Sequence, residues 1–394
     1  MKILALINIS NVDDLECDSG IIFQRILSNE FLKKGIEYKI IGPNIENFRK
    51  FNNFKCEKIY TELGDDRYSS RFLFNWNSLK EIIAREKPDI IFNNQAELGS
   101  ALRALLTVLK FAKTKLVTYC HYPSLWSISK EGIPELDESL NSFNLGTPIL
   151  FNILSSVITS DAFIIQSNFA KNLLDKSAKY FNIKNFKNIN VIQPPQDPIL
   201  KNINCNINFK KDNTIFYNHR LYASYGTQEF LNFIKNFKED ECKFIFSDPM
   251  PNRSEKRNSL SNSPSFFRNI IKNMKNAVLV NGDLGREAYK NNIQHCKISF
   301  GAFRKACVWS MSAIDCMSLG VPVIARNFAA YSEFIPNELL FDKNDDGISI
   351  ARHLLSDSKY LDKISSKCIK YANKYSSDII SDKFIKIFNE VLLS

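Results

Sequence analysis

Polar and apolar positions along this chain follow two repeating patterns: short unbroken apolar runs, and longer stretches with helical spacing. Residues 2–9 (KILALINI) hardly alternate and read as a strand buried on both faces, as in a parallel sheet. After a polar loop over 11–18, Ser19 and Gly20 open a helix running to Phe31–Lys34, Gly35 caps it, and 37–41 supplies a second strand. That is a βαβ unit. Further strands are predicted at 87–92, 115–120, 162–166 and 190–192, with helices at 79–85, 99–112 and 168–176. The apolar stretch 148–165 contains Asn152 and Asp161 and reads as a buried helix plus strand rather than a membrane span.

Pro194, Pro195 and Pro198 then interrupt regular structure and make a hinge. A second alternation follows, with strands at 214–217, 243–246, 277–280, 297–300 and 321–324 and helices between them. Residues 248–265 are rich in Ser, Asn, Pro and Arg and read as a loop, and 376–393 as one amphipathic helix. The expectation is an α/β chain of two Rossmann-like, doubly wound domains facing across a cleft. They span 1–195 and 205–375, with the tail helix 376–394 packing back on the first.

The segment 313–325 (AIDCMSLGVPVIA) carries the most chemistry: a helix, a break at Gly320, and a strand of Val and Ile. Ser310 and Ser312 stand where the helix begins, so its free N–H groups can face an anion, with Asp315 one turn in. A helix start beside a parallel sheet is where doubly wound proteins hold nucleotide phosphates. An ordinary helix–strand connection is the plain alternative.

At 394 residues the chain exceeds one ordinary core, which supports two domains. Its nine Cys form no C-x-x-C pair and no close Cys/His cluster, so neither a zinc site nor a disulfide framework is signalled. The opening apolar run is too short for a secretory signal, and the expectation is a cytoplasmic protein. A net charge of +10 suggests an acidic partner, nucleic acid or an anionic membrane. The charges are spread along a chain rich in Lys, Asn, Ile and Phe, so composition alone is the competing explanation.

Four segments in order, KPDII at 87–91, DAFIIQS at 161–167, Arg220-Leu221 followed by Tyr225-Gly226, and Asp315 through Ala325, resemble glycosyltransferases of the GT-B fold. This is the large retaining family, glycogen-synthase-like and family-4-like, that uses nucleotide-sugar donors. The resemblance implies that Asp315 binds the donor's ribose diol. The family's first acid falls at Cys307 and its glycine at Ser310, so the expectation is either an unusual donor sugar or its recognition by a neighbour such as Arg304 or Lys305. Arg220 and Gly226 match the diphosphate clamp, but Tyr225 replaces its Lys, leaving Lys305 or Arg286 to supply the second charge. Arg220 would stabilise the departing diphosphate, with Ser310 and Ser312 on the donor side. His121 falls at the family's active-site histidine, and Ser19-Gly20 at its acceptor-side glycine loop. No metal and no cofactor beyond the donor nucleotide sugar is implied. Asn218-His219-Arg220 resembles the corresponding stretch of glycosyltransferases that modify nucleic acids.

Three acceptor readings stay open. Duplex DNA carrying hydroxymethylated pyrimidines, as for phage enzymes, fits the basic balance; residues from Arg103 to Lys115, with Arg253, Lys256, Arg257 and Arg268, would hold phosphates and the base would be flipped out. A lipid-linked or surface polysaccharide fits a membrane-facing patch at Lys110–Lys115 or Phe48–Phe54. A nucleotide-sugar-binding protein without turnover is the third.

Overall fold

A computed structural model describes residues 1–7, 15, 18–44, 46, 48, 54, 56, 58–63, 75–137, 145–201, 213–248, 263–281, 285–304 and 306–394. The expectations placed on Lys305, Arg253, Lys256 and Arg257, and on most of 11–18, 48–54 and 248–265, lie outside the described residues. The chain forms two compact units, Met1–Asn11 with Asp18–Pro195 and Ser377–Ser394, and Val12–Cys17 with Gln196–Ser376.

The first unit contains β1 (Lys2–Leu6), α1 (Ser19–Lys33), β2 (Glu37–Pro43), β3 (Lys58–Leu63), α2 (Trp76–Glu86), β4 (Ile90–Asn93), α3 (Gly99–Val108) and β5 (Lys115–Cys120). It continues with β6 (Leu125–Ile128), β7 (Pro134–Leu136), α4 (Gly146–Thr159), β8 (Ala162–Ile165), α5 (Asn168–Tyr180) and β9 (Asn190–Val191). Seven strands form one parallel sheet in the order β3-β2-β1-β4-β5-β8-β9, and β6 pairs with β7 in a separate antiparallel hairpin. Register aligns the buried positions of neighbouring strands: Ile3 lies between Tyr38 and Ile90, and all three are buried.

The second unit contains β10 (Thr214–Tyr217), α6 (Thr227–Ile234), β11 (Lys243–Asp248), α7 (Ser263–Lys272), β12 (Ala277–Asn281), α8 (Gly285–Gln294), β13 (Ile298–Phe300) and α9 (Met311–Ser318). It ends with β14 (Val323–Arg326), α10 (Tyr331–Phe334), β15 (Leu340–Phe341), α11 (Asn344–Ser356) and α12 (Ser358–Asn373). Its six parallel strands run β12-β11-β10-β13-β14-β15, the Rossmann order. The α/β class and both doubly wound sheets match the sequence reading.

Several boundaries moved for identifiable reasons. The expected strand at 321–324 starts at Val323 because Pro322 has no N–H to give; its carbonyl instead accepts from Ser299 N at 2.8 Å. The helix expected to reach residue 112 stops at Val108, since Lys110 turns left-handed at φ 57. Gly320, at φ 74, breaks α9 where the sequence placed the turn.

The last helix, α13 (Ser377–Leu393), belongs to the first unit. Ile380, Phe384, Ile387, Phe388 and Val391 recur at helical spacing and are its buried face. The Phe384 ring lies 5.9 Å from Phe23, 5.6 Å from Phe92 and 5.5 Å from Tyr119, while Lys34 Nζ bonds Ser381 Oγ at 2.7 Å at the edge. Phe384→Ala should cost the first unit about 3–5 kcal/mol, against less than about 1 kcal/mol for Ile379→Ala on the exposed side. Urea unfolding of both variants checks this; equal midpoints would contradict the packing.

Candidate functional site

In the second unit, β10 and β13 are neighbours from which the sheet is wound in opposite directions, so their carboxyl ends open a crevice. Asn218, His219 and Arg220 follow β10, and α9 starts beside them with Ser310 as N-cap, its Oγ accepting from Ala313 N at 3.2 Å. His219 is buried between these elements. The Phe300 carbonyl can only accept, so His219 Nε2–H donates to it at 2.9 Å. Burial lowers the His219 pKa to about 4, so the neutral ring keeps a lone pair on Nδ1, which accepts from Ser312 Oγ at 3.3 Å. With its proton committed to His219, Ser312 Oγ accepts in turn from Ser310 Oγ at 3.0 Å. The result is a directed chain of hydrogen bonds that fixes the first turn of α9 against the ends of both central strands.

One turn into α9, Asp315 is only 4% exposed. Its Oδ2 accepts from Arg286 at 3.3 Å and from the Tyr289 hydroxyl at 3.2 Å, both from α8. The Tyr289 oxygen accepts from Asn218 Nδ2 at 2.7 Å. Arg286 also reaches Asp197 Oδ2 at 2.9 Å, and Asp197 is fully buried. Burial opposes the Arg286 charge, but the carboxylates of Asp315 and Asp197 hold it protonated. Burial raises the Asp315 pKa to about 6, with Arg286 opposing the rise and Asp197 adding to it. Arg286, expected as one source of the second charge for a diphosphate, has its guanidinium engaged by these two buried carboxylates.

The loop between β10 and α6 is compact, with Tyr222 N bonded to the Arg220 carbonyl at 2.8 Å and Gly226 N to that of Ala223 at 2.8 Å. Gly226 sits at φ 69, and a Cβ there would lie 2.3 Å from the Phe303 carbonyl oxygen, so only glycine fits. The Arg304 guanidinium stands over the Tyr225 ring at 5.0 Å. A cation therefore accompanies the residue that takes the family lysine's position. Cys307 is a core residue, and burial pushes its thiol up to about 11.

In the first unit, His121 follows β5, its ring edge-on to Phe23 at 4.9 Å and Tyr119 at 4.7 Å. Asn94 Nδ2 donates to the Phe92 carbonyl, which turns Asn94 Oδ1 toward His121 Nε2 at 3.2 Å. Burial lowers the His121 pKa to about 4, so the ring is neutral, Nε2–H donates, and Nδ1 keeps its lone pair. Ser19 is exposed, but the Gly20 N–H already donates at 2.8 Å to Asp18, the N-cap of α1 that sequence reasoning missed. Two cations assigned to nucleic-acid phosphates are also engaged: Arg103 bonds Asp161 at 2.5 Å, and Arg268 pairs with Asp248.

No protein-family model and no curated protein matches the chain. Solved structures do. Sucrose-phosphate synthase from Thermosynechococcus elongatus superposes at a TM-score of 0.76 with 13% identity over 100% of both chains. HepE from Anabaena in complex with UDP-glucose gives 0.73 at 11%, over 99% of this chain and 100% of that one. The catalytic domain of starch synthase IV from Arabidopsis thaliana, bound to ADP and acarbose, gives 0.67 at 14%, over 100% and 99%.

The fold is GT-B. At these identities the likeness is one of architecture. Among the described residues, no group of three or more His, Cys, Asp or Glu can hold a metal ion, and no helix is long and apolar enough to cross a membrane.

The desolvated rings of buried His219 and half-buried His121 make stability pH-dependent. Their pKa values fall from 6.5 unfolded to about 4 folded, so stability present above pH 6.5 is lost as the pH falls through that window. Asp315 acts oppositely, adding stability as pH falls from about 6 toward 3.8. His219→Gln should flatten the acid-side loss in the second unit by up to about 1.4 kcal/mol per pH unit. Urea midpoints at several pH values measure this, and an unchanged slope would contradict a neutral buried ring.

Proposed function

We propose that this protein is a glycosyltransferase that takes a sugar from a nucleoside-diphosphate donor and transfers it with retention to an acceptor hydroxyl. The observation that carries the reading is the second unit's crevice, where the start of α9 and a nearly buried carboxylate sit beside the central strand ends of a GT-B fold. Solved neighbours hold UDP-glucose and ADP, which supports a donor of that class.

In this reading the N–H groups of α9, the hydroxyls of Ser310 and Ser312, and Arg220, Arg304 and Lys305 receive the diphosphate. Negative charge builds on its β-phosphate as the sugar leaves, and fixed donors stabilise that charge without reorganising. Gly226 lets the Phe303 backbone close the loop behind them. Asp315 accepts from the ribose. In the first unit, His121 offers the Nδ1 lone pair to a hydroxyl, and Ser19 and Gly20 take the acceptor side.

For the acceptor, the net charge of +10 supports duplex DNA bearing hydroxymethylated pyrimidines. A saccharide acceptor is the second reading, with lipid-linked or surface glycans at a membrane as its extended form. It is favoured by the engagement of Arg103 by Asp161 and of Arg268 by Asp248, and by neighbours whose names point to saccharides.

Incubation with a panel of UDP- and ADP-sugars should release nucleoside diphosphate slowly without acceptor. Asp315→Asn and Arg220→Ala should each cut that turnover at least about tenfold. Turnover untouched by both variants would remove the donor site, and donor binding without release would leave a binding protein. The DNA reading predicts duplex binding that falls by about 10³-fold or more between 50 and 200 mM salt. Salt-insensitive or absent binding would leave the saccharide reading.

A further inference from the structure

We propose that Arg286, anchored by Asp197, is a positioning residue that draws one oxygen of Asp315 inward and presents the other to the ribose of a bound nucleotide. The inference rests on the reading that the second unit binds a nucleoside diphosphate.

Four observations carry it. First, both donors to Asp315, the Arg286 guanidinium and the Tyr289 hydroxyl, go to Oδ2. Oδ1 has no hydrogen-bond partner among the described residues, although Asp315 is 4% exposed. A ligand hydroxyl donating to that oxygen would complete the carboxylate's hydrogen bonding. Second, the anchor is itself fixed. Asp197 Oδ2 takes both Nε of Arg286, at 3.1 Å, and a terminal guanidinium nitrogen, at 2.9 Å, while its Oδ1 accepts from Ile199 N at 3.1 Å. Third, Arg286 and Tyr289 are three residues apart on α8 and so share one face, with the guanidinium 4.8 Å from the Tyr289 ring. Asn218 holds the Tyr289 hydroxyl from the end of β10, so two elements besides α9 determine where Oδ2 lies.

The fourth is charge. The groups facing Asp315 are Arg286 and Tyr289 from α8 and Asp197 from the turn after Pro195, with Cys316 adjacent on α9. Two buried carboxylates share one guanidinium. Without Arg286 they face each other uncompensated, and Asp315 takes up a proton near neutral pH. A protonated, unanchored carboxyl is a weaker and misdirected acceptor. Arg286 therefore acts on the ribose through Asp315, and its removal should affect the sugar of the nucleotide rather than its phosphates.

UDP against 2′-deoxy-UDP isolates that contact. Calorimetry on the full chain should show the wild type preferring UDP by about tenfold, one hydrogen bond to a charged acceptor. The preference should fade below pH 6, where Asp315 is protonated. In Arg286→Gln the preference should fall below about twofold while 2′-deoxy-UDP binds nearly as before, and Arg286→Lys should restore part of it. If Arg286→Gln does not fold, Tyr289→Phe carries the test: it removes the second donor to Oδ2 and should lower the preference while shifting its pH midpoint upward. Equal weakening of both nucleotides, or an unchanged preference and midpoint, would overturn the inference and leave the donor reading intact. Failure of the wild type to bind UDP or ADP at all would instead overturn the donor reading.

Discussion

The guanidinium of Arg286 between the buried carboxylates of Asp197 and Asp315 is the constraint on which the second unit's crevice depends. Buried ion pairs add little net stability when formed, because desolvation offsets attraction, but removing one partner leaves a stranded charge. The three residues come from the turn after Pro195, from α8 and from α9, so their distances tie three separate segments to one geometry. His219 does the same with neutral groups at the start of α9, linking it to the last carbonyl of β13. One network sets where the helix begins, and the other sets the direction of its carboxylate a turn later.

Much of the architecture was legible because buried parallel strands need little context. The runs at 115–120 and 214–217 are mostly apolar and form strands with those bounds. Gly320 and the helix start near Ser310 were legible for a local reason, turn and cap chemistry. The β3 strand and the β6–β7 hairpin were not read: KIYTEL at 58–63 has no apolar run, and the hairpin pairs only short segments. Asp18 was passed over as the cap of α1 in favour of Ser19, one residue too late.

The candidate site was half legible. The family resemblance singled out Asp315, Arg220 and Gly226 as candidates, and the structure adds a steric reason for the glycine. The roles of Arg286 and Tyr289 were invisible, because residues 197, 286, 289 and 315 meet only through long-range packing. His219 had been noted only for its resemblance, while its fixed tautomer emerges from facing a carbonyl. Arg304 over Tyr225 is a further spatial pairing that no spacing rule reveals. Net charge is likewise blind to pairing: Arg103, Arg268, Arg352 and Lys367 are matched by Asp161, Asp248, Glu241 and Glu338, which only the folded chain reveals.

A crystal structure of the protein with UDP tests the central claim most directly. The account predicts diphosphate oxygens within hydrogen-bond reach of the first N–H groups of α9 and of Ser310 or Ser312, with a ribose hydroxyl on Asp315 Oδ1 and Arg286 still on Oδ2. UDP seated away from α9, or at α9 with its ribose turned from Asp315, would contradict it.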